Sequence, residues 1–158
     1  IKVNVILLGD GVAKAKAIED AKVKSLSNIY FLPRVTMKQV GTILTKADML
    51  LVHLNNNELF EITVPSRTQA SMAMAKPIIM GVSGDAADLV KKSGSGVTCE
   101  PNNPISLADS ITKLCGLSES ERVEMGRRGR DFYYKELSLK IGVSKFIRIF
   151  EGIQWGVF

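Results

Sequence analysis

Residues 58–79, ELFEITVPSRTQASMAMAKPII, hold the residue types and spacing best suited to chemistry. They read as a loop carrying a carboxylate at Glu61, then Pro65-Ser66 opening a helix, then Lys76-Pro77 leading into a short apolar strand. A helix that starts at the carboxyl end of one strand and returns to another presents unpaired backbone N–H groups at a sheet edge. Those donors, with the positive end of the helix dipole, favour phosphate. A carboxylate one turn away suits sugar or ribose hydroxyls. Diphosphate plus hydroxyls describes a nucleotide-sugar.

Around this stretch the chemistry-bearing residues each have a plain alternative. Val64, Pro65, Ser66 and Arg67 form the start of the helix. Ser66 can cap it or hydrogen-bond a phosphate, since both uses draw on the same orphan donors. Arg67 either pairs with phosphate or faces solvent. Gly9, Asp10 and Gly11 make a tight strand-to-helix turn that lacks the three-glycine dinucleotide fingerprint. Its influence on a bound nucleotide is therefore indirect. Pro33, Arg34 and Val35 follow a strand end, and Gly84-Asp85 mark another edge loop, with Asp85 a cap by type. His53 lies in an apolar strand and reads as structural. Cys99 and Cys115 have neither metal-ligand spacing nor a nearby His, and read as reduced, partly buried thiols of a cytoplasmic protein.

The elements that must position these residues alternate along the chain. Strands are expected at 3–8, 28–32, 48–54, 77–82 and 96–100, the first and third as buried apolar runs. Helices are expected at 12–25, at 36–46 with Thr36 as N-cap, at 66–75 and at 85–93. After Pro101 and Pro104 the pattern is helical throughout, at 105–116, 118–136 and 139–153, with Ser118 and Glu121 spaced as a capping box. The closing WGVF is either an ordered tail or frayed. Repeated strand–helix alternation with short loops implies an α/β fold, a parallel sheet flanked by helices on both faces, followed by a helical C-terminal segment. Ligands of such sheets bind beyond the carboxyl ends of the strands. The loops at 9–11, 33–35, 55–65 and 83–85 all belong there.

Bulk properties fit this picture. The 158 residues make one domain large enough for a core. An apolar fraction of 46% with 23% charged is ordinary for a soluble globular chain. No run of about 18 apolar residues is present, so no transmembrane helix is expected. The net charge of +5 favours anionic partners: nucleotide phosphates, an anionic membrane surface or nucleic acid. The densest basic cluster, RRGR at 127–130, shares a helical pattern with Glu121 and Glu124, which suits an exposed helix face. The chain lacks a starting Met and opens inside an apolar pattern, so it is expected to be a fragment of a longer protein.

Residues 58–79 resemble the donor-binding segment of GT-B glycosyltransferases, in the large retaining family called group 1 or family 4. The likeness is greatest to the bacterial transferases that build surface polysaccharides. LLGDG at 7–11, NIYFLPRV at 28–35 and GVSGDAADLV at 81–90 support it, and the matches run in the family's order to about residue 150. The resemblance implies a Rossmann-like domain that is the carboxyl-terminal half of a two-domain enzyme. Glu61 stands for the first glutamate of the family's paired-glutamate motif, which contacts the donor sugar's hydroxyls. The second glutamate's place is held by Gln69 or Ala70; Gln69 can hydrogen-bond a diol but supplies no charge. Backbone groups near Arg34 and Val35 meet the base, and Gly9 and Gly11 lie near the donor.

The resemblance further implies a UDP- or GDP-linked donor, transfer with retention, no required metal or other cofactor, and a saccharide or lipid-linked acceptor held by a separate domain. Nucleic acid is not an expected partner. Peripheral association with the inner face of the membrane is implied through the acceptor. The family's usual Arg and Lys on the diphosphate have no counterpart in this chain, so no catalytic residue is assigned and the 158 residues alone are expected to be inactive. Two other readings stand beside this one: another GT-B nucleotide-sugar enzyme, such as a sugar 2-epimerase, and a non-enzymatic Rossmann-like module that binds an anionic ligand.

Overall fold

The computed structural model describes residues 2–153; the WGVF tail lies outside the described residues. Parallel sheets flanked by helices make up the fold, and the chain divides into two compact units, Ile1–Leu44 and Thr45–Phe158.

In the first unit, β1 (Val5–Leu8) and β2 (Ile29–Leu32) pair in parallel, with Val5 opposite Ile29 and Leu8 opposite Leu32. Helix α1 (Lys14–Val23) joins them and α2 (Met37–Thr45) follows. Thr36 caps α2 as its type predicts. The Gln39 N–H donates to Thr36 Oγ1 at 3.4 Å, and the Thr36 N–H donates to Gln39 Oε1 at 3.0 Å. The expectation of a first strand buried on both faces is not met: Ile6 is 54% and Leu7 41% exposed. The reason lies in α1, whose alanines and lysines offer little apolar area. Ala21 is the one buried apolar residue among the described residues of this unit, and a methyl group covers far less surface than a branched side chain.

In the second unit, β3 (Leu50–His53), β4 (Ile78–Gly81) and β5 (Gly96–Thr98) form a parallel sheet in that order. Central β4 is buried at every residue, because helices cover both its faces. Strand side chains alternate between faces. Val52, Ile78 and Met80 thus pack with Met72 of α4 (Ser66–Ala73) and with Ala86, Ala87 and Val90 of α5 (Asp85–Ser93). On the other face Ile79 packs with Cys99 and with Leu114 of α6 (Pro104–Cys115). Edge strand β3 is buried only in part: Leu50 and Val52 point inward and Leu51 does not.

Helix α7 (Glu119–Phe132) opens with the capping box that the spacing of Ser118 and Glu121 predicts. It then lies against the end of α4. A Cβ on Gly126 would stand 2.0 Å from the Ala75 carbonyl oxygen, and one on Gly129 would stand 2.8 Å from Ser95 Cβ. The RRGR cluster therefore has one face inside the fold. Arg127 pairs with Glu124 and Asp131, and Arg128 donates to the Gly94 carbonyl at 3.0 Å, closing the carboxyl end of α5. Where an unbroken helix to 136 is expected, α7 ends at Phe132 and widens into a π-helical turn, Tyr133–Leu137. The wider turn places Phe132, Tyr133 and Leu137 together against the core. Ser138, extended, separates it from α8 (Leu139–Gly152). Among the described residues no helix is long and apolar enough to cross a membrane.

Candidate functional site

The candidate residues fall at two sheet edges, one in each unit. In the second unit the carboxyl ends of β3 and β4 lead into segments 54–65 and 82–84. The polar run after β3 is not all loop, as expected, but holds a one-turn helix, α3 (Glu58–Glu61). Asn57 makes the turn possible: its Oδ1 accepts from the Leu59 N–H at 2.9 Å, satisfying an orphan donor. Glu61 is the last residue of this turn, exposed, with no hydrogen-bond or ion-pair partner for its carboxylate among the described residues. Its backbone rests against Gly84. A Cβ on Gly84 would lie 2.0 Å from the Glu61 carbonyl oxygen. Gly84 has φ +71° and ψ −140°, a conformation open essentially to glycine alone. The close approach couples the Glu61 turn to the loop before α5.

Gly84, not Asp85, is the N-cap of α5; Asp85 is its first helical residue and makes no capping bond. The carboxylates of Asp85 and Asp88 still complement the dipole from inside the first turn. Ser66 differs from expectation in the same way. Pro65 holds the N-cap position, Ser66 is the first helical residue, and no side chain caps α4. Proline at the cap fixes the backbone but brings no acceptor, so the leading N–H groups of Ser66 and Arg67 keep no intrahelical partner. The Thr68 N–H donates to the Pro65 carbonyl at 2.8 Å. Ser66 and Arg67 are exposed, while Val64, Pro65 and Gln69 are half-buried. Val64 also lines an open groove of about 400 Å³ with Asp85, Asp88, Leu89 and Lys92. This edge can hold an anion at an uncapped helix terminus and present a free carboxylate to hydroxyls.

His53, at the carboxyl end of β3, is structural as read. Its Nε2 accepts from the Asn102 N–H at 3.3 Å. Its ring lies over Gly81, where a Cβ would meet His53 Cδ2 at 2.4 Å. Cys99 and Cys115 are free thiols, and burial pushes the Cys99 thiol above its usual pKa, away from thiolate chemistry.

At the edge of the first unit, Gly9 and Gly11 follow β1, and Arg34 and Val35 follow β2. A Cβ on Gly9 or Gly11 would meet nothing within 4 Å, so the turn is open to solvent. Two residues that sequence reasoning left without a function organise it. Lys14 Nζ donates to the Gly9 carbonyl at 2.9 Å, to the Leu32 carbonyl at 3.0 Å and to Asp10 Oδ1 at 2.8 Å. Asp10 Oδ2 accepts the Arg34 N–H at 3.3 Å. The bond from Lys14 and then that from Arg34 hold the Asp10 carboxyl below the usual carboxylate range. A lysine just after a glycine turn signals this only faintly, because its acceptor at Leu32 lies 18 residues away.

Comparison with known proteins shows the family and the fold. Residues 1–132 match the family described as glycosyl transferases group 1. The probable glycosyltransferase WbjE of Pseudomonas aeruginosa is 29% identical over 145 residues, covering 88% of this chain and 34% of that protein. A point mutant of S. aureus TarM, solved in complex with fondaparinux, α-GlcNAc-glycerol and UDP, superposes with a TM-score of 0.77 at 17% identity, over 94% of this chain and 29% of its own. Anabaena HepE, solved with UDP-glucose, gives a TM-score of 0.75 at 14% identity, over 96% and 41% respectively. The chain spans about a third of the length of the curated relatives it matches. It is a member of the group 1 glycosyl transferase family.

Proposed function

We propose that the chain is the nucleotide-sugar-binding domain of a retaining, metal-independent glycosyltransferase, which uses a UDP- or GDP-linked donor and a saccharide or lipid-linked acceptor in surface polysaccharide assembly. The observation that carries this reading is the uncapped start of α4, beside a carboxylate whose backbone is seated against Gly84. Membership of the family and the UDP and UDP-glucose held by TarM and HepE support it.

In this reading the Ser66 and Arg67 N–H groups and the Arg67 guanidinium receive the diphosphate. Glu61 accepts from hydroxyls of the sugar, and Gln69 serves the ribose. Backbone groups at Arg34 and Val35 meet the base, and the turn of Gly9 and Gly11 lies near the donor and acts on it indirectly. The bond from the anomeric carbon to the β-phosphate oxygen breaks as the acceptor oxygen bonds to that carbon and passes its proton to the departing diphosphate. Negative charge grows on the departing diphosphate, where a helix dipole and fixed N–H donors stabilise it without reorganising. No metal is required for that task. The acceptor brings the protein to the cytoplasmic face of the membrane.

Calorimetric titration of the intact protein with UDP, GDP and ADP tests the reading. One of UDP or GDP should bind selectively. Glu61→Ala should leave that affinity within about twofold yet lower turnover of the matching nucleotide-sugar by roughly 10–100-fold, the worth of a charged hydrogen bond. An anion-binding module that is no transferase would show no turnover to lose, and binding of none of the three nucleotides would overturn the donor reading.

A further inference from the structure

The Lys14 ammonium stands where electrostatics alone would not put it. Lys14 is the first residue of α1, and a cation at a helix N-terminus opposes the dipole. No side chain caps that terminus. An ammonium with three donors can be held there only by acceptors, and it has three, on both sides of the strand pair. The Gly9 carbonyl and Asp10 carboxylate belong to the loop after β1, and the Leu32 carbonyl ends β2. Leu32 also accepts the Gly9 N–H at 3.3 Å, and Asp10 turns its second oxygen to the Arg34 N–H. Each side chain thus adds ties between the two loops to that single backbone bond.

A simple surface ion pair explains less. Exposed pairs contribute little, but the Lys14 side chain is only 25% exposed, and two of its three bonds go to backbone carbonyls. With all three donors committed, Lys14 has none left for a phosphate. The bonds constrain loops that lie at the carboxyl ends of parallel strands, where ligands of such sheets bind. One of those loops, around Gly9 and Gly11, has open space above its backbone.

We infer that Lys14, acting with Asp10, is a positioning residue that locks the 9–11 and 33–35 loops into one nucleotide-facing edge. The inference rests on the donor-domain reading and adds to it two residues that touch no ligand. A locked edge presents its backbone groups already arranged, so binding orders little further chain.

The test is affinity for UDP and GDP in the intact protein, wild type against Lys14→Met and Asp10→Asn, with donor KM and kcat measured alongside. Lys14→Met should weaken the preferred nucleotide about tenfold and raise donor KM similarly, with kcat at saturating donor within about twofold, since the residue meets no reacting atom. Asp10→Asn keeps an oxygen for the Arg34 N–H but loses the charge that holds Lys14, and should weaken binding about threefold. It also provides the test should Lys14→Met fail to fold, together with the Arg34 amide resonance, which should shift in Asp10→Asn and on nucleotide addition to wild type. A purely structural lysine would lower thermal stability and leave the folded protein's affinity unchanged. Wild-type binding with undiminished affinity in both variants overturns the positioning role and leaves the donor reading standing. No binding by wild type overturns both.

Discussion

At the scale of single residues, charge and burial separate the groups that can act from those that hold. Glu61 is exposed and unpaired, and so available to hydroxyls. Thr68 is the opposite: fully buried, with its Oγ1 the one enclosed side-chain oxygen or nitrogen among the described residues that lacks a partner. Such a hydroxyl costs stability. Asp10 is exposed and paired, and its titration gives a prediction. Its folded carboxyl sits below the unfolded value, first through the Lys14 bond and then through the Arg34 N–H. The ionised pair therefore contributes above the unfolded pKa of about 4, and the contribution fades as pH falls through the lower folded value. Between pH 7 and 5 the Arg34 amide resonance should stay constant, and it should move on further acidification. In Asp10→Asn that acid step should vanish; its persistence would show that another group controls the loop.

Among elements, the contact between the Glu61 turn and the loop before α5 matters most. Sequence patterning marks 85–93 as a helix and Gly84 as part of an edge loop. That Gly84 must be glycine follows only from its φ of +71° and the Glu61 carbonyl beside it. Gly84→Ala should thus do two things. Backbone strain of about 1–3 kcal/mol should lower stability in urea unfolding. The Cβ should also displace the Glu61 turn and reduce turnover of the nucleotide-sugar by at least as much as Glu61→Ala. Full stability in Gly84→Ala would show that the loop relaxes freely and that the coupling is not there. The π-helical turn after α7 is a similar case: helical periodicity runs straight through 118–136, while packing of Phe132, Tyr133 and Leu137 on the core decides where the helix widens.

For the whole molecule, the two units differ in how much they bury. Both buried apolar clusters belong to the second unit, around β4. In the first, Ile6, Leu7 and Tyr30 are all at least 41% exposed. Amides with little buried apolar support open at low free energy. Hydrogen exchange on this chain should therefore be faster at Leu7 and Phe31 than at Ile79 and Met80, by about tenfold or more. Equal protection would mean that the units unfold as one. The same asymmetry explains why the strand at 3–8 reads as buried from its residues alone. An apolar β-branched run reports what a strand can bury, and the length and side chains of its partner helix determine what it does bury.

The residues alone were enough for the order of the five strands and the longer helices, the parallel α/β class, the caps at Thr36 and Ser118, and the placing of Glu61 and Ser66 near the end of a strand. These rest on local period, turn chemistry and spacing, all of which act within a few residues. The family resemblance in residues 7–11, 28–35, 58–79 and 81–90 likewise came from order along the chain. Only the tertiary structure decided that Pro65 and not Ser66 precedes α4, that Gly84 is pressed against Glu61, and that Gly126 and Gly129 admit α7 to the core. It also tied Lys14 to Leu32. Apart from the Pro65 cap, each is a contact between segments distant in sequence or a backbone angle at such a contact, and no local pattern encodes which atoms meet when the chain closes on itself.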